Sequence, residues 1–252
     1  MEGLFHLHSD YSFDGKLSLE ELKEECVRRK QDFMVVTDHA EDFDSEKLKR
    51  YLAHCKSLTD KEFIVVPGLE FRLEGKREVH VLVVGSDALS CAEAPWGIME
   101  KVSSGESRGL VVLAHPSRNG HYLPKYLEHS IHGIEIWNAG YDSRYLPDYN
   151  AIQLFRSLKK RNRNLVGFGG LDLHDRTGFR ELRLQMNNPV ETEAELLAHF
   201  KAGRFTIRGS HTGTDSIPDW GFAKMVLLNV GRKMLFAADY LKWQLVSRKK
   251  SA

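Results

Sequence analysis

Seven short apolar runs rich in Val, Ile and Leu, separated by amphipathic stretches of helical period, predict an α/β barrel. Two further observations point the same way. Seven runs exceed what a small open sheet needs, and His or acidic residues end most of them, where strand ends of a barrel gather their ligands. At 252 residues one barrel accounts for the chain, so 1–252 is read as a single domain.

The elements follow in order. Leu4–Ser9 is the first strand, and Leu19–Arg29 the first helix, with Leu19, Leu22 and Cys26 on one face and Ser18 with Glu21 as a capping box. Phe33–Thr37 is the second strand. Glu46–Leu58 is the second helix, with Leu48, Tyr51, Leu52 and Cys55 aligned. Phe63–Val66, Val79–Val84, Leu110–Ala114, Gly133–Trp137 and Leu165–Phe168 supply the other strands, expected to run parallel because they are continuously apolar. Helices are expected at Leu123–His129, Tyr149–Lys160 and Glu193–Lys201, the last capped by Thr192 with Glu195. Ser86–Arg108 carries no clear pattern. The apolar residues of Ile217–Ser247 are interrupted by Lys224, Arg232 and Lys233, which is too polar for a membrane span. That part is expected to form one or two amphipathic helices packed on the barrel, with a membrane-surface role suggested by Arg248-Lys249-Lys250 as the lesser alternative.

Composition narrows the function. The formal charge of +1 gives no global attraction to nucleic acid. Cys26, Cys55 and Cys91 are odd in number and far apart, so a disulfide framework is not expected. MEGLFHLHSD lacks the basic and apolar regions of a signal peptide, and the expected location is cytoplasmic.

The chemistry lies at the strand ends. His6 and His8, two apart on a strand, project from one face, and Asp172 with His174 repeats the spacing at the last strand. Closing a barrel makes these strands neighbours. Asp14 stands in the turn sequence SFDGK, where Asx-turn formation is its bland role. His39 follows Asp38, whose expected role is to orient an imidazole or cap a turn. Glu70 ends VVPGLE, where a buried carboxylate needs cations. His80 opens HVLVVG, and His115 precedes Pro116. Imidazoles and carboxylates together suit zinc, manganese or iron.

FHLHSDYSFDG, VVTDH, PGLE, HVLVVG, LAHPSR and GLDLH resemble the ordered motifs of the polymerase-and-histidinol-phosphatase (PHP) family of metal-dependent phosphoesterases. The match spans His6 to His174, about two thirds of the chain, and fills all nine family ligand positions. The resemblance implies a distorted seven-stranded β/α barrel holding two or three divalent ions. By position, one metal would take His6, His8, Glu70 and Asp172; a second would share Glu70 and add His80 and His115; a third would take Asp14, His39 and His174. Glu70, Asp14 and His39 would then act catalytically through a metal-bridging hydroxide formed as the pKa of bound water falls toward ~7.

Arg118, Arg176 and Arg180 are candidates for the substrate phosphate, since guanidinium matches it bidentately, against the bland role of solvated charge. His121, Asn138 and Asp175 could also line the pocket. The interval between His80 and His115 has no room for the large insertion common in nucleotide-hydrolysing relatives, so a small phosphorylated substrate is expected. The alternatives are a 5′–3′ exonuclease or phosphodiesterase, and a non-catalytic regulatory PHP module. Lys159, Lys160, Arg161 and Arg163 lack the interleaved aromatics of a single-strand groove, and no ligand is lost as a regulatory module would lose one. Hydrolysis of C–N bonds on a related barrel would call for a carboxylated lysine, and no Lys stands among these motifs.

Overall fold

In the computed structural model of the protein, residues 1–90, 97–98, 100–101, 104, 106 and 109–250 are described, with backbone only from 238 onward. Cys91 and Arg108 lie outside the described residues. The strands are β1 (Glu2–Leu7), β2 (Phe33–His39), β3 (Ile64–Leu73), β4 (Val79–Val84), β5 (Leu110–Leu113), β6 (Gly133–Asn138), β7 (Val166–Gly170), β8 (Arg183–Met186), β9 (Phe205–Arg208) and β10 (Gly213–Asp215). They form one sheet in the order β10-β9-β8-β1-β2-β3-β4-β5-β6-β7. The described helices of five residues or more are α1 (Leu19–Arg28), α2 (Ser45–Leu58), α3 (Ser86–Ser90), α4 (Tyr149–Lys159), α5 (Glu193–Lys201) and α6 (Phe222–Lys250).

The sheet is nearly closed into a barrel. Beyond β7 the chain runs alongside β1: Leu171 N–H donates to Phe5 C=O at 2.9 Å, and His8 N–H donates to Leu173 C=O at 2.8 Å. These bonds join the first and last barrel strands at their C-terminal ends, beside His6, His8, Asp172 and His174. Near its N-terminal end β1 pairs instead with antiparallel β8, through Glu2 and Gly3.

Helix starts follow local chemistry. Ser18 and Glu21 make the reciprocal capping box of α1, and Asp44, Asp148 and Thr192 accept backbone N–H bonds at the starts of α2, α4 and α5. Leu19, Leu22 and Cys26 of α1 and Leu48, Tyr51 and Cys55 of α2 are buried, each leucine contributing roughly 1.5–3 kcal/mol. On α5, Phe200 meets Phe5, Phe33, Phe168 and Phe205 with ring centroids 5.4–6.0 Å apart. That cluster ties α5 to β1, β2, β7 and β9.

The topology departs from the expected parallel set. β1, β2 and β3 pair in parallel, as do β5, β6 and β7, but β4 is antiparallel to both β3 and β5. The reason is the short link between β3, which extends past Glu70 to Leu73, and β4. A connection this short can join only antiparallel neighbours, because a parallel crossover needs a dozen residues or more. β8, β9 and β10 were not expected; they are three or four residues long, shorter than the sequence patterns that announce a strand. The expected helix at Leu123–His129 is instead a single 3-10 turn at Lys125–Leu127. Pro124 holds Leu123 away from helical backbone, and β6 begins before further turns can form. Ser86–Ser90, without a clear pattern in sequence, is the short helix α3. The C-terminal apolar part is one helix, α6.

Candidate metal centre

Three positions expected to supply ligands depart from extended backbone. His6 has φ 66°, Asp172 φ 51° and His115 φ 22°, values uncommon for residues with a side chain. At His6 the β1–β2 register jumps, from Phe5 opposite Val35 to Leu7 opposite Val36. His6 is thus a bulge residue, and simple alternation does not set its direction; the bulge re-aims it. Its Nε2 and that of His8 nevertheless converge on Asp172 Oδ1, at 3.1 and 3.2 Å. His115 is unusual because it precedes Pro116, where extended backbone is favoured; its N–H is held by Glu135 Oε2 at 2.7 Å.

All nine expected ligands come together. Glu70 lies between two sets of imidazoles: Oε1 is 2.7 Å from His80 Nδ1 and 2.9 Å from His115 Nε2. Oε2 is 3.3 Å from His8 Nε2, 3.4 Å from His39 Nδ1 and 3.6 Å from His6 Nε2. At the outer side, Asp14 Oδ2 is 3.3 Å from both His39 Nε2 and His174 Nδ1. Sets of ligand atoms close enough to share an ion include His6, Glu70, His115 and Asp172; His8, Asp14 and His174; and His8, His39 and Glu70. His80 stands apart from these sets, its second nitrogen taken by Glu78 at 2.9 Å.

The electrostatics are those of a buried cluster in which imidazoles and carboxylates perturb one another. Burial alone would push Glu70 upward, but the surrounding imidazoles of His115, His6 and His8 hold it well below the ordinary carboxylate range. Asp172 behaves alike, with burial outweighed by His6, His174 and His8. For His8, burial favours the neutral ring, yet the close carboxylates of Asp172 and Glu70 carry its pKa to about 9. His6 is likewise raised by Glu135 and Asp172 against its burial. Without hydrogen-bond partners stand His6 Nε2, both nitrogens of His8, Asp14 Oδ1, His39 Nδ1 and His174 Nδ1, all buried. Orphaned buried donor atoms of this chemistry, aimed at one another, fit divalent cations.

Glu135, on β6, was missed in sequence. It is fully buried, and its Oε1 accepts the Nδ1–H of His6 at 2.8 Å. Oε2 accepts from Asn138 Nδ2 at 2.8 Å as well as from His115 N–H. The available signal was an acid inside the apolar strand GIEIWN. Asn138, a pocket candidate, is therefore an anchor of Glu135, and its Oδ1 accepts from Gly140 N–H at 2.9 Å. Asp38 caps a turn and does not orient an imidazole: it accepts from Ser9 N–H, Ser9 Oγ and Ser12 Oγ, each at 2.7 Å.

The arginine candidates separate. Arg118 lies at the rim, donating to Tyr141 Oη at 3.2 Å and pairing with Glu78 at 3.5 Å; the Tyr141 ring lies 4.8 Å from that of His115. Arg176 is engaged by Glu21 and Glu25 of α1 at 2.9 and 3.3 Å. Arg180 donates to the carbonyls of Thr177 and Phe179. All three candidates thus carry contacts with which a phosphate would compete, and what sets Arg118 apart is that its partner Tyr141 lies against His115. Asp175 caps the turn at Arg176–Gly178 and pairs with Lys16 at 3.3 Å, and its pKa falls to about 2 through Thr177. His121 pairs with Asp148 at 2.9 Å. A cavity of about 660 Å³ is lined by Ala40, Phe43, Phe71, Arg72 and Tyr126 among others, and none of the nine expected ligands lines it. Ala40 directly follows His39, and Phe71 directly follows Glu70. Arg72 also pairs with Glu78, the partner of His80.

Comparison with known proteins adds a family match: the model described as PHP domain matches residues 5–207. No curated protein matches the chain. Among solved structures, one provisionally assigned as a metal-dependent phosphoesterase from Bifidobacterium adolescentis is similar at 15% identity and TM-score 0.48, covering 69% of this chain and 87% of its own. An amidohydrolase from Chromobacterium violaceum, with bound sulfate and no metal, is similar at 14% identity and TM-score 0.45, covering 68% and 87%.

Proposed function

The chain belongs to the PHP domain family, and from that membership we propose that it is a metal-dependent phosphoesterase acting on small phosphomonoesters. The observation that carries this reading is Glu70, buried, with one oxygen facing His80 and His115 and the other facing His8, His39 and His6. A carboxylate so placed suits two adjacent cation sites. His6, His8, Glu70 and Asp172 would hold one divalent ion, Glu70 with His80 and His115 a second, and Asp14 with His39 and His174 a third. When bound, such ions (zinc, manganese or iron) supply Lewis acidity, offset phosphate charge and lower the pKa of coordinated water toward ~7.

The protein's own groups supply orientation. Glu135 holds the His6 ring so that Nε2 faces Asp172 and Glu70, and holds the backbone of His115. Arg118, steadied by Tyr141, presents its guanidinium to the non-bridging phosphate oxygens.

Elemental analysis of purified protein should find bound transition metal. A chelator should abolish hydrolysis of a chromogenic phosphomonoester, and manganese or zinc should restore it; absence of both metal and turnover would refute the reading. A screen of phosphorylated metabolites beside short 5′-phosphorylated oligonucleotides tests the substrate class. Preferential release of nucleotides would move the assignment to an exonuclease.

A further inference from the structure

The solvent side of α6 is apolar where a surface helix is ordinarily polar. Met225, Leu228 and Arg232 face the body and are buried. Phe222, Val226, Val230 and Met234 recur every four residues and so share one face, and all are exposed, as is Leu227 beside them. Phe222 is 86% exposed, Leu227 71% and Met234 68%, so these side chains are in open solvent rather than folded back. The exposed charges among Phe222–Ala237 are Lys224 and Lys233.

The helix is held with this face outward. Arg232 Nη2 pairs with Asp148 Oδ2 at 2.7 Å, and Nη1 donates to Pro147 C=O at 2.9 Å. Asp148 in turn pairs with His121 and caps α4. A buried, multiply bonded guanidinium resists rotation of the helix about its axis, because turning it would leave a buried charge unpaired.

We propose that α6 docks the protein on an anionic phospholipid surface, its apolar stripe entering the headgroup boundary. Charge selects this occupant. Besides Arg232, the helix sequence carries Lys224, Lys233, Lys242, Arg248, Lys249 and Lys250 against the single acid Asp239. The whole chain has a formal charge of only +1, so positive charge is concentrated on this element. An apolar stripe flanked by lysines matches an interfacial helix, and each cation near an anionic membrane adds to attraction. A second copy of α6 would bring like charges together, which disfavours helix-to-helix pairing. Spanning is not the mode: among the described residues no helix is long and apolar enough to cross a membrane.

Cosedimentation of the full chain with vesicles tests this. Phosphatidylserine–phosphatidylcholine vesicles should retain the protein, phosphatidylcholine alone should not, and high salt should release it. Leu227→Glu and Met234→Glu alter exposed positions, so folding and hydrolysis of a soluble phosphomonoester should persist while vesicle affinity falls roughly tenfold or more. Equal partitioning to both vesicle types, or none to either, would overturn the proposal. So would a concentration-dependent dimer in sedimentation velocity that both variants dissolve, since a second copy would then be the occupant.

Discussion

His6 donates its Nδ1–H to Glu135 Oε1 at 2.8 Å, a bond between the first strand of the barrel and the sixth that leaves Nε2 free to face Asp172 and Glu70. A carboxylate can only accept, so this bond fixes the tautomer. Glu135→Gln keeps the shape but offers an amide in place of the charge, and weakens control of the ring. Metal affinity, read by competition with a chromogenic chelator, should fall about 10–100-fold. Unchanged affinity would remove Glu135 from any positioning role.

Gly170 makes that bond sterically possible. A Cβ at this position would overlap Glu135 Oε1 and approach His6 Cβ to 3.2 Å. Gly170→Ala should therefore push Glu135 away from His6, leaving a buried ring donor unsatisfied at a cost of about 1–3 kcal/mol. Urea unfolding should show that loss, and the same chelator competition should show weakened metal binding. Wild-type stability and affinity in the variant would mean that the strand shifts freely to accommodate a methyl group.

These two residues also mark what the sequence discloses. His6 is legible because histidine beside a strand end is chemically conspicuous, whereas Glu135 takes its meaning from a partner 129 positions away. The nine candidate ligands could be named without the fold because each sits at a boundary between apolar and turn-forming sequence. Their directions could not: His6 leaves the strand through a bulge, and the backbone at His115 depends on a distant carboxylate. The direction of β4 was hidden for a related reason. An apolar strand buried on both faces reads the same whether its neighbours are parallel or antiparallel, and only the short link after Leu73 decides. Arg176 and Arg180 were indistinguishable from Arg118 in sequence, since their competing partners Glu21, Glu25 and the Thr177 carbonyl are brought by tertiary structure or local turns.

The arginines give a direct comparison. Arg118→Ala should lower kcat/KM for a phosphomonoester about 10-fold to 100-fold through loss of a charge-assisted bond worth ~1.5–3 kcal/mol. Arg176→Ala breaks exposed pairs with α1 and should leave kcat/KM near wild type, with a stability change of about 1 kcal/mol or less. Steady-state kinetics of the two variants decide it. A larger effect at Arg176 would relocate the phosphate to the turn after β7.

Removal of metal and removal of its shared ligand should converge. Glu70→Ala deletes a carboxylate whose two oxygens meet five imidazoles. Metal content measured by elemental analysis should drop, with most turnover lost. His39→Ala should remove an ion from the outer side, where Asp14 and His174 remain. Full activity in either variant would refute these ligand assignments.

Asp142 offers a pH dependence at a residue outside the expected ligand set. Its Oδ2 accepts Asn138 N–H at 2.7 Å, while Oδ1 is out of solvent. Burial, with the charge of Asp148 adding to it, raises its pKa to about 6 from 3.8. The folded state thus holds the proton more tightly than the unfolded chain. Its stabilising contribution is complete below about pH 4 and is lost as pH rises through about 6. Above that, the ionised carboxyl costs on the order of 3 kcal/mol. Asp142→Asn keeps an acceptor for Asn138 N–H without the charge. The variant should therefore be more stable than wild type at pH 7.5 by up to that amount, with the gap closing by pH 4. Urea unfolding of both proteins at the two pH values measures the difference; a gap that is constant with pH would show that Asp142 does not titrate in this window.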